Sequence, residues 1–449
     1  MSELIISVSG LRGVVGESLT PEVALRYAVA FAAEAPPGPL VLTRDGRPTG
    51  ALLADVVRGA FCAVGRSVID AGIAATPTTG VLVRRYQAAG GLQISASHNP
   101  APYNGIKLFS PSGQVLTAAA GEPIIARFRA PVAGWVNHQR IGTVTVCEDT
   151  TTDHLGLLLN IVDVERIRDC AFSVLLDSNH GAGSILGNRL LAELGCRVVV
   201  RGGEPTGRFA HLPEPTAENL AEIAPQVRQE RAAVGFCQDP DADRLALIDD
   251  TGHYIGEEYT LALCLDHVLS AHPGPIVTNC ATSRMAADLA QRYGVPCYRS
   301  AVGEAHVVAE MQRRGAVFGG EGNGGPIDPR VGFVRDSFVG LALVLDALAA
   351  RQTSLSQWVA QLPRYAIRKT TVPLERPRIP QALAALQKHY ASAQADTLDG
   401  LRLDWPDRWL LVRASNTEPI VRLIVEAPTP ADADLLCSEA AEVLLSGTR

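Results

Sequence analysis

At 449 residues, with 47% hydrophobic and 19% charged side chains and a net charge of −7, the chain is an ordinary soluble composition, too long for one core and sized for about three or four domains. The acidic balance excludes nucleic acid as the main partner, and no apolar run reaches the ~18 residues that span a bilayer, the longest, 338–350, being broken by Asp346. Nine scattered cysteines without a Cys-x-x-Cys pair read as reduced thiols, and Met1-Ser2-Glu3-Leu4 carries no secretion signal, so a cytoplasmic protein is expected.

Residues 5–16 read as a strand followed by a polar turn, Ser9-Gly10-Leu11-Arg12-Gly13, in which two glycines flank one guanidinium that could hold an anion or simply be solvated. A helix follows from Pro21, with Thr20 as its cap, and strand, loop and helix then alternate as in an α/β domain. The apolar run 91–94 empties into Ser95-Ala96-Ser97-His98-Asn99-Pro100. Past a buried strand end, the Ser97 hydroxyl could be a nucleophile or a phosphate carrier, or the hexapeptide could be a plain turn. Asn104-Gly105 reads as a turn, after which a strand brings Lys107 back beside Ser97 to hold a phosphate or move a proton. This first domain spans 1–149.

The second unit, 150–250, has strands at 172–176, 197–200 and 232–237, and the last empties into Asp239-Pro240-Asp241-Ala242-Asp243-Arg244. Carboxylates at alternate positions repel one another unless a cation lies between them, so Asp239, Asp241 and Asp243 imply a hard divalent metal. An EF-hand would need Gly where Arg244 stands, a dehalogenase-type phosphatase would carry Thr or Val at Asp243, and a solvated acidic turn is the plain alternative. In the third unit, 251–363, the strand at 317–318 runs into Gly319-Gly320-Glu321-Gly322-Asn323-Gly324-Gly325, where Glu321 and Asn323 suit vicinal hydroxyls unless the loop is only a hinge. The last unit, 364–449, joins strands at 409–412 and 421–425 through Arg413-Ala414-Ser415-Asn416-Thr417-Glu418-Pro419. Arg413, Ser415, Asn416 and Thr417, with Arg422 as a second cation, suit a phosphate.

These four loops, in this order and spacing, resemble those of the α-D-phosphohexomutase superfamily, as do Asp177-Ser178-Asn179-His180-Gly181-Ala182-Gly183 and Pro213-Glu214-Pro215. The resemblance implies three similar α/β domains with mixed sheets and a smaller C-terminal α+β domain, TATA-binding-protein-like, around a central cleft. It implies Ser97 as the phosphoryl carrier, Mg²⁺ held by Ser97, Asp239, Asp241 and Asp243, and a hexose 1,6-bisphosphate as intermediate and activator. Glu321 and Asn323 would grip the sugar, the 413–417 loop would anchor the other phosphate, and Arg12, Lys107, His98 and Arg244 would assist the transfer. Gly325 stands where many members carry a histidine, so the acid/base role of that residue does not carry over, and Lys107, His98 and His306 become the candidates. The Gly-Glu-x-Asn-Gly-Gly form, with Val302-Gly303-Glu304, is most similar to archaeal-type phosphoglucosamine mutases. A sugar phosphate is therefore the expected partner, glucosamine phosphate first and glucose or mannose phosphate next, of a monomer or homodimer. A sugar phosphatase is the other enzyme class these residues allow.

Overall fold

The computed structural model describes residues 3–7, 10–415 and 418–446, and among them the apolar runs form four sheets. The first has seven strands in the order Ile5–Ser7, Gly10–Val14, Tyr103–Phe109, Gly90–Ile94, Leu40–Arg44, Val68–Ile73 and Val144–Val146. Its centre is parallel and the Tyr103–Phe109 side antiparallel, so the sheet is mixed. The helix Pro21–Glu34 starts where expected: Thr20 accepts from the Val23 N–H, and Pro21 occupies a first-turn position that needs no donor. Its buried face joins Phe61 from the next helix, Leu40 and Leu42, and Leu92 and Ile94 in one core.

Two turns expected from sequence are strands instead. Asn104-Gly105 lies inside Tyr103–Phe109, and the chain reverses between Ser97 and Pro102. Gly105 is there for close approach, because a Cβ would meet the carbonyl oxygens of Leu11 and Ser95 at 2.6 Å. Likewise Gly10–Val14 is a strand that sets Arg12 opposite Gly105. Ser9 lies outside the described residues.

The second sheet runs Leu245–Asp249, Val234–Gln238, Ser173–Asp177, Arg197–Arg201, and the third Cys297–Ser300, Ile276–Asn279, Phe318–Glu321, Gly325–Ile327. Leu176 and Phe236 of the second share a continuous core with Phe318 of the third and with Leu261 and Phe338 of the helices Glu257–Ala271 and Ser337–Arg351. The strand expected at 317–318 extends to Glu321, which pairs with Gly325, so Glu321 ends a strand and the glycine loop is a tight reversal.

The fourth sheet is antiparallel throughout, in the order Ala366–Pro373, Ile420–Ala427, Trp409–Ala414, Leu401–Asp404, Gln394–Asp396. Alternation splits its faces. Val412, Val421, Leu423 and Val425 pack under the helices Ile379–His389 and Pro430–Ser446. Trp409 and Leu411 of the opposite face meet Cys280 of the third unit. Arg413 and Arg422, directly paired in register, sit at its end.

Candidate functional site

The serine loop is built from underneath. Arg47, 1% exposed, donates to the carbonyls of Ser97 at 2.7 Å, Asn99 at 2.6 Å, Pro100 at 3.0 Å and Tyr103 at 3.1 Å. Asp45 holds Arg47 at 3.2 Å and accepts from the Ser95 hydroxyl at 2.8 Å, and Ser95 Oγ in turn accepts from the Ser97 N–H. So many anchors let Ser97 keep φ at +50°, a left-handed conformation that non-glycine residues rarely adopt. The consequence is orientation: Ser97 Oγ donates to Asp239 Oδ2 at 2.7 Å and lies 3.3 Å from His98 Nδ1.

Asp239, Asp241 and Asp243 are fully buried, and each offers an oxygen within 4.8 Å of the others. Lys107 and Arg335 supply the local countercharge: Lys107 Nζ lies 2.5 Å from Asp241 Oδ2 and 2.9 Å from Asp243 Oδ2, and Arg335 Nη2 lies 2.6 Å from Asp243 Oδ2. Thr76, which opens the helix Thr76–Arg85, gives its hydroxyl to Asp241 Oδ2 at 2.5 Å and its N–H to the Asp241 carbonyl. These contacts use the Oδ2 atoms and leave Asp241 Oδ1 and Asp243 Oδ1 buried without a hydrogen-bond partner. Burial opposes ionisation, yet Lys107 keeps Asp241 below the usual carboxylate range, and Arg335 with Lys107 does so for Asp243. Burial and the two neighbouring acids push Asp239 well above that range; it makes no ion pair among the described residues. Two orphaned oxygens and a third acid held against its charge fit a divalent ion with oxygen ligands such as Mg²⁺.

A cleft of about 760 Å³ opens beside this cluster, lined by Arg12, Asn99 and Lys107 from the first unit, Glu304, His306, Glu321 and Arg335 from the third, and Asp399 and Arg413 from the fourth. Arg12 donates to Asn99 Oδ1 at 3.1 Å. Burial works against the Lys107 charge but Asp241 and Asp243 outweigh it, so Lys107 holds its proton. Burial, with Arg244 and Arg12 nearby, pushes His98 down to about 3, which leaves its ring neutral. Arg244 reaches toward Glu214 and Asp243 at 3.8 Å each. Arg244, His98 and Asn323 stand outside the cleft lining, and Asn323 keeps a buried Oδ1 without a partner. Glu321 is gripped by Asn279 at 2.7 Å, Gly303 N at 3.0 Å and Arg335 at 3.0 Å.

At the far end, Arg413 pairs with Asp399 at 2.8 Å, and Asp399 also accepts from the Val302 N–H at 2.8 Å, tying the fourth unit to the third. Arg422 is exposed beside Arg413, whereas Ser415 lies by a separate shallow pocket with Arg376. Asn416 and Thr417 lie outside the described residues. Sequence reasoning missed Asp45, Arg47, Thr76, Asp399 and Arg335. Asp45 and Arg47 sit in the loop after the strand Leu40–Arg44, where a single acid and arginine form no motif, and no local spacing marks Thr76, Asp399 or Arg335, whose partners lie 14 or more residues away.

The chain matches the phosphoglucomutase/phosphomannomutase families of alpha/beta/alpha domain I over 4–133, domain II over 152–252 and domain III over 257–365, and of the C-terminal domain over 370–443. It is 37% identical over 428 residues, 93% of both chains, to a phosphoglucomutase/phosphomannomutase of Thermococcus kodakarensis. A second protein of that organism, named a probable phosphoglucosamine mutase, is 33% identical over 93% of each chain. The crystal structure of a phosphoglucomutase/phosphomannomutase family protein from Burkholderia thailandensis superposes with a TM-score of 0.85 at 25% identity, covering 99% of this chain and 98% of that one.

Proposed function

Because the chain belongs to the phosphoglucomutase/phosphomannomutase family, we propose that it interconverts hexose 6-phosphate and hexose 1-phosphate through a phosphoserine at Ser97. The observation that carries this reading is the Ser97 hydroxyl, held in a left-handed turn at 2.7 Å from Asp239 beside two buried carboxylate oxygens that accept no hydrogen bond. In the resting enzyme Ser97 Oγ bears a phosphoryl group. A free hydroxyl of the hexose monophosphate attacks that phosphorus, the P–Oγ bond breaks, and a 1,6-bisphosphate forms. The bisphosphate turns round, Ser97 Oγ takes the other phosphoryl, and the isomeric monophosphate leaves with no net phosphate released. Mg²⁺ bound by Ser97, Asp239, Asp241 and Asp243 would neutralise charge on the transferring group.

The remaining roles are read from the resemblance of the four loops to the family. Arg12 and Lys107 face the cleft and stabilise the transferring phosphoryl, with Arg244 assisting from beside Asp243. His98, neutral and 3.3 Å from Ser97 Oγ, can accept a proton there, while His306 lies on the cleft wall. Glu321 and Asn323 grip ring hydroxyls, and Arg413 with Ser415, Asn416, Thr417 and Arg422 anchors the second phosphate. The blocks 1–149, 150–250, 251–363 and 364–449 are taken as the four domains; the first, third and fourth line the cleft, and the second meets it through Asp241 and Asp243, which hold the cleft residue Lys107.

Glucosamine 6-phosphate is the first reading of the substrate, on the form of the sugar loop. Glucose or mannose 6-phosphate is the second, favoured by the name of the relative with 37% identity. The protein with Mg²⁺ and a trace of hexose 1,6-bisphosphate should convert one of these 6-phosphates to its 1-phosphate by ³¹P NMR, and Ser97→Ala should abolish the signal. Release of inorganic phosphate alone would make it a phosphatase.

A further inference from the structure

Between the metal loop and the sugar loop lies a guanidinium that neither contributes. Arg335 is 8% exposed, and its three donor positions each take a different carboxylate: Nη2 gives to Asp243 Oδ2 at 2.6 Å, Nη1 to Glu321 Oε2 at 3.0 Å, and Nε to Glu304 Oε2 at 3.3 Å. Its backbone N–H also donates to Glu304 Oε1 at 2.9 Å. The three acids come from three separate segments. The planar fork holds them from three separate nitrogens in fixed directions, where an ammonium would present its donors from a single point.

The fork is fixed from behind. Asp336 caps the helix Ser337–Arg351 by accepting from Phe338 N at 2.9 Å, and its other oxygen lies 2.7 Å from Nε2 of the buried His154. The Asp336 N–H donates to the Pro326 carbonyl at 2.9 Å. Arg335 therefore leaves an anchored helix start, tied through Pro326 to the strand that follows the sugar loop, and reaches from there across to Asp243. On Asp243 it occupies Oδ2 and leaves Oδ1 for a cation, and on Glu321 it occupies Oε2 while Asn279 and Gly303 occupy Oε1.

We propose that Arg335 is a positioning residue that sets the spacing between the metal carboxylate Asp243 and the sugar-loop carboxylate Glu321, and so couples the charge of one loop to the cation affinity of the other. Its catalytic meaning rests on the mutase reading. A substrate that turns round between two transfers meets the same grip twice, and one grip serves both only if its distance from the phosphoserine is constant.

The test measures the coupling directly and needs no turnover. Mn²⁺, another divalent ion with oxygen ligands, is titrated calorimetrically into the wild type, Glu321→Gln, Arg335→Met, the double variant and Arg335→Lys. Glu321→Gln removes one of the acids that share the guanidinium, so its charge bears more on Asp243, and Mn²⁺ should bind about fivefold more weakly. In the Arg335→Met background the same substitution should change Mn²⁺ affinity by less than about 1.5-fold. Arg335→Lys with Glu321→Gln provides the cycle if the methionine variant fails to fold, and there the coupling should be at most half that of the wild type. Equal effects of Glu321→Gln with and without the guanidinium, or none in the wild type, would overturn the proposal. Coupling present in a protein that produces no hexose 1-phosphate would overturn the mutase reading and leave the positioning role standing.

Discussion

Replacing Lys107 by Met keeps most of the apolar stem of the side chain and removes the ammonium shared by Asp241 and Asp243. Lys107 is buried at 2.5 and 2.9 Å from the two carboxylates, and Asp243 retains Arg335 while Asp241 is left with Thr76. Breaking one partner of a buried pair typically costs about 3–5 kcal/mol, because the surviving charge is uncompensated. The same lost charge leaves the two Oδ1 atoms, which accept no hydrogen bond, as a stronger cation site. Saturating Mg²⁺ at 100 times its Kd adds about 2.7 kcal/mol to the stability of any state it binds, and more where its affinity is higher. Thermal melts in EDTA and in excess Mg²⁺ should therefore show the variant several degrees below the wild type without metal, and a larger rise on adding metal than the wild type shows. An equal rise in both proteins would refute the idea that Lys107 and the cation share these carboxylates.

Three further outcomes are expected. Arg47→Met strips four carbonyls of their donor and Asp45 of its partner, and should cost about 3–5 kcal/mol in denaturant unfolding along with most of the turnover; a loss under about 1 kcal/mol would mean that the serine loop holds itself. Asp241→Asn should raise the Mg²⁺ concentration for half-activation at least about tenfold, and an unchanged titration would remove Asp241 from the metal site. Glu258, half-buried under Gly322, has its pKa pushed up by burial to about 8, against the pull of Lys369. Because the unfolded chain ionises it near pH 4.3 and the folded one only near 8, it stays protonated in the native state across that window. Native stability should thus fall as pH rises between these values, by about 2 kcal/mol in all for a carboxyl with some water access, and Glu258→Gln should remove the fall. Parallel pH–stability curves for the two proteins would contradict this.

What could be read from the chain alone was what its local chemistry declares. Apolar runs ending in polar loops carry their own direction, so the α/β alternation and the loops around Ser97, Asp239, Glu321 and Arg413 were legible. Three acids at alternate positions announce a cation without a fold. Where one residue type answers to two demands, sequence misled: Asn104-Gly105 looks like a turn, yet Gly105 serves a close backbone approach inside a strand. The tertiary structure decided everything that depends on charge meeting charge across the chain. Arg47 beneath the serine loop, Thr76 on Asp241 and Arg335 across Asp243, Glu304 and Glu321 act on partners about 14 to 165 residues away. Only folding brings those partners within 3 Å, because an arginine in sequence announces its charge but not the carboxylates it will bridge.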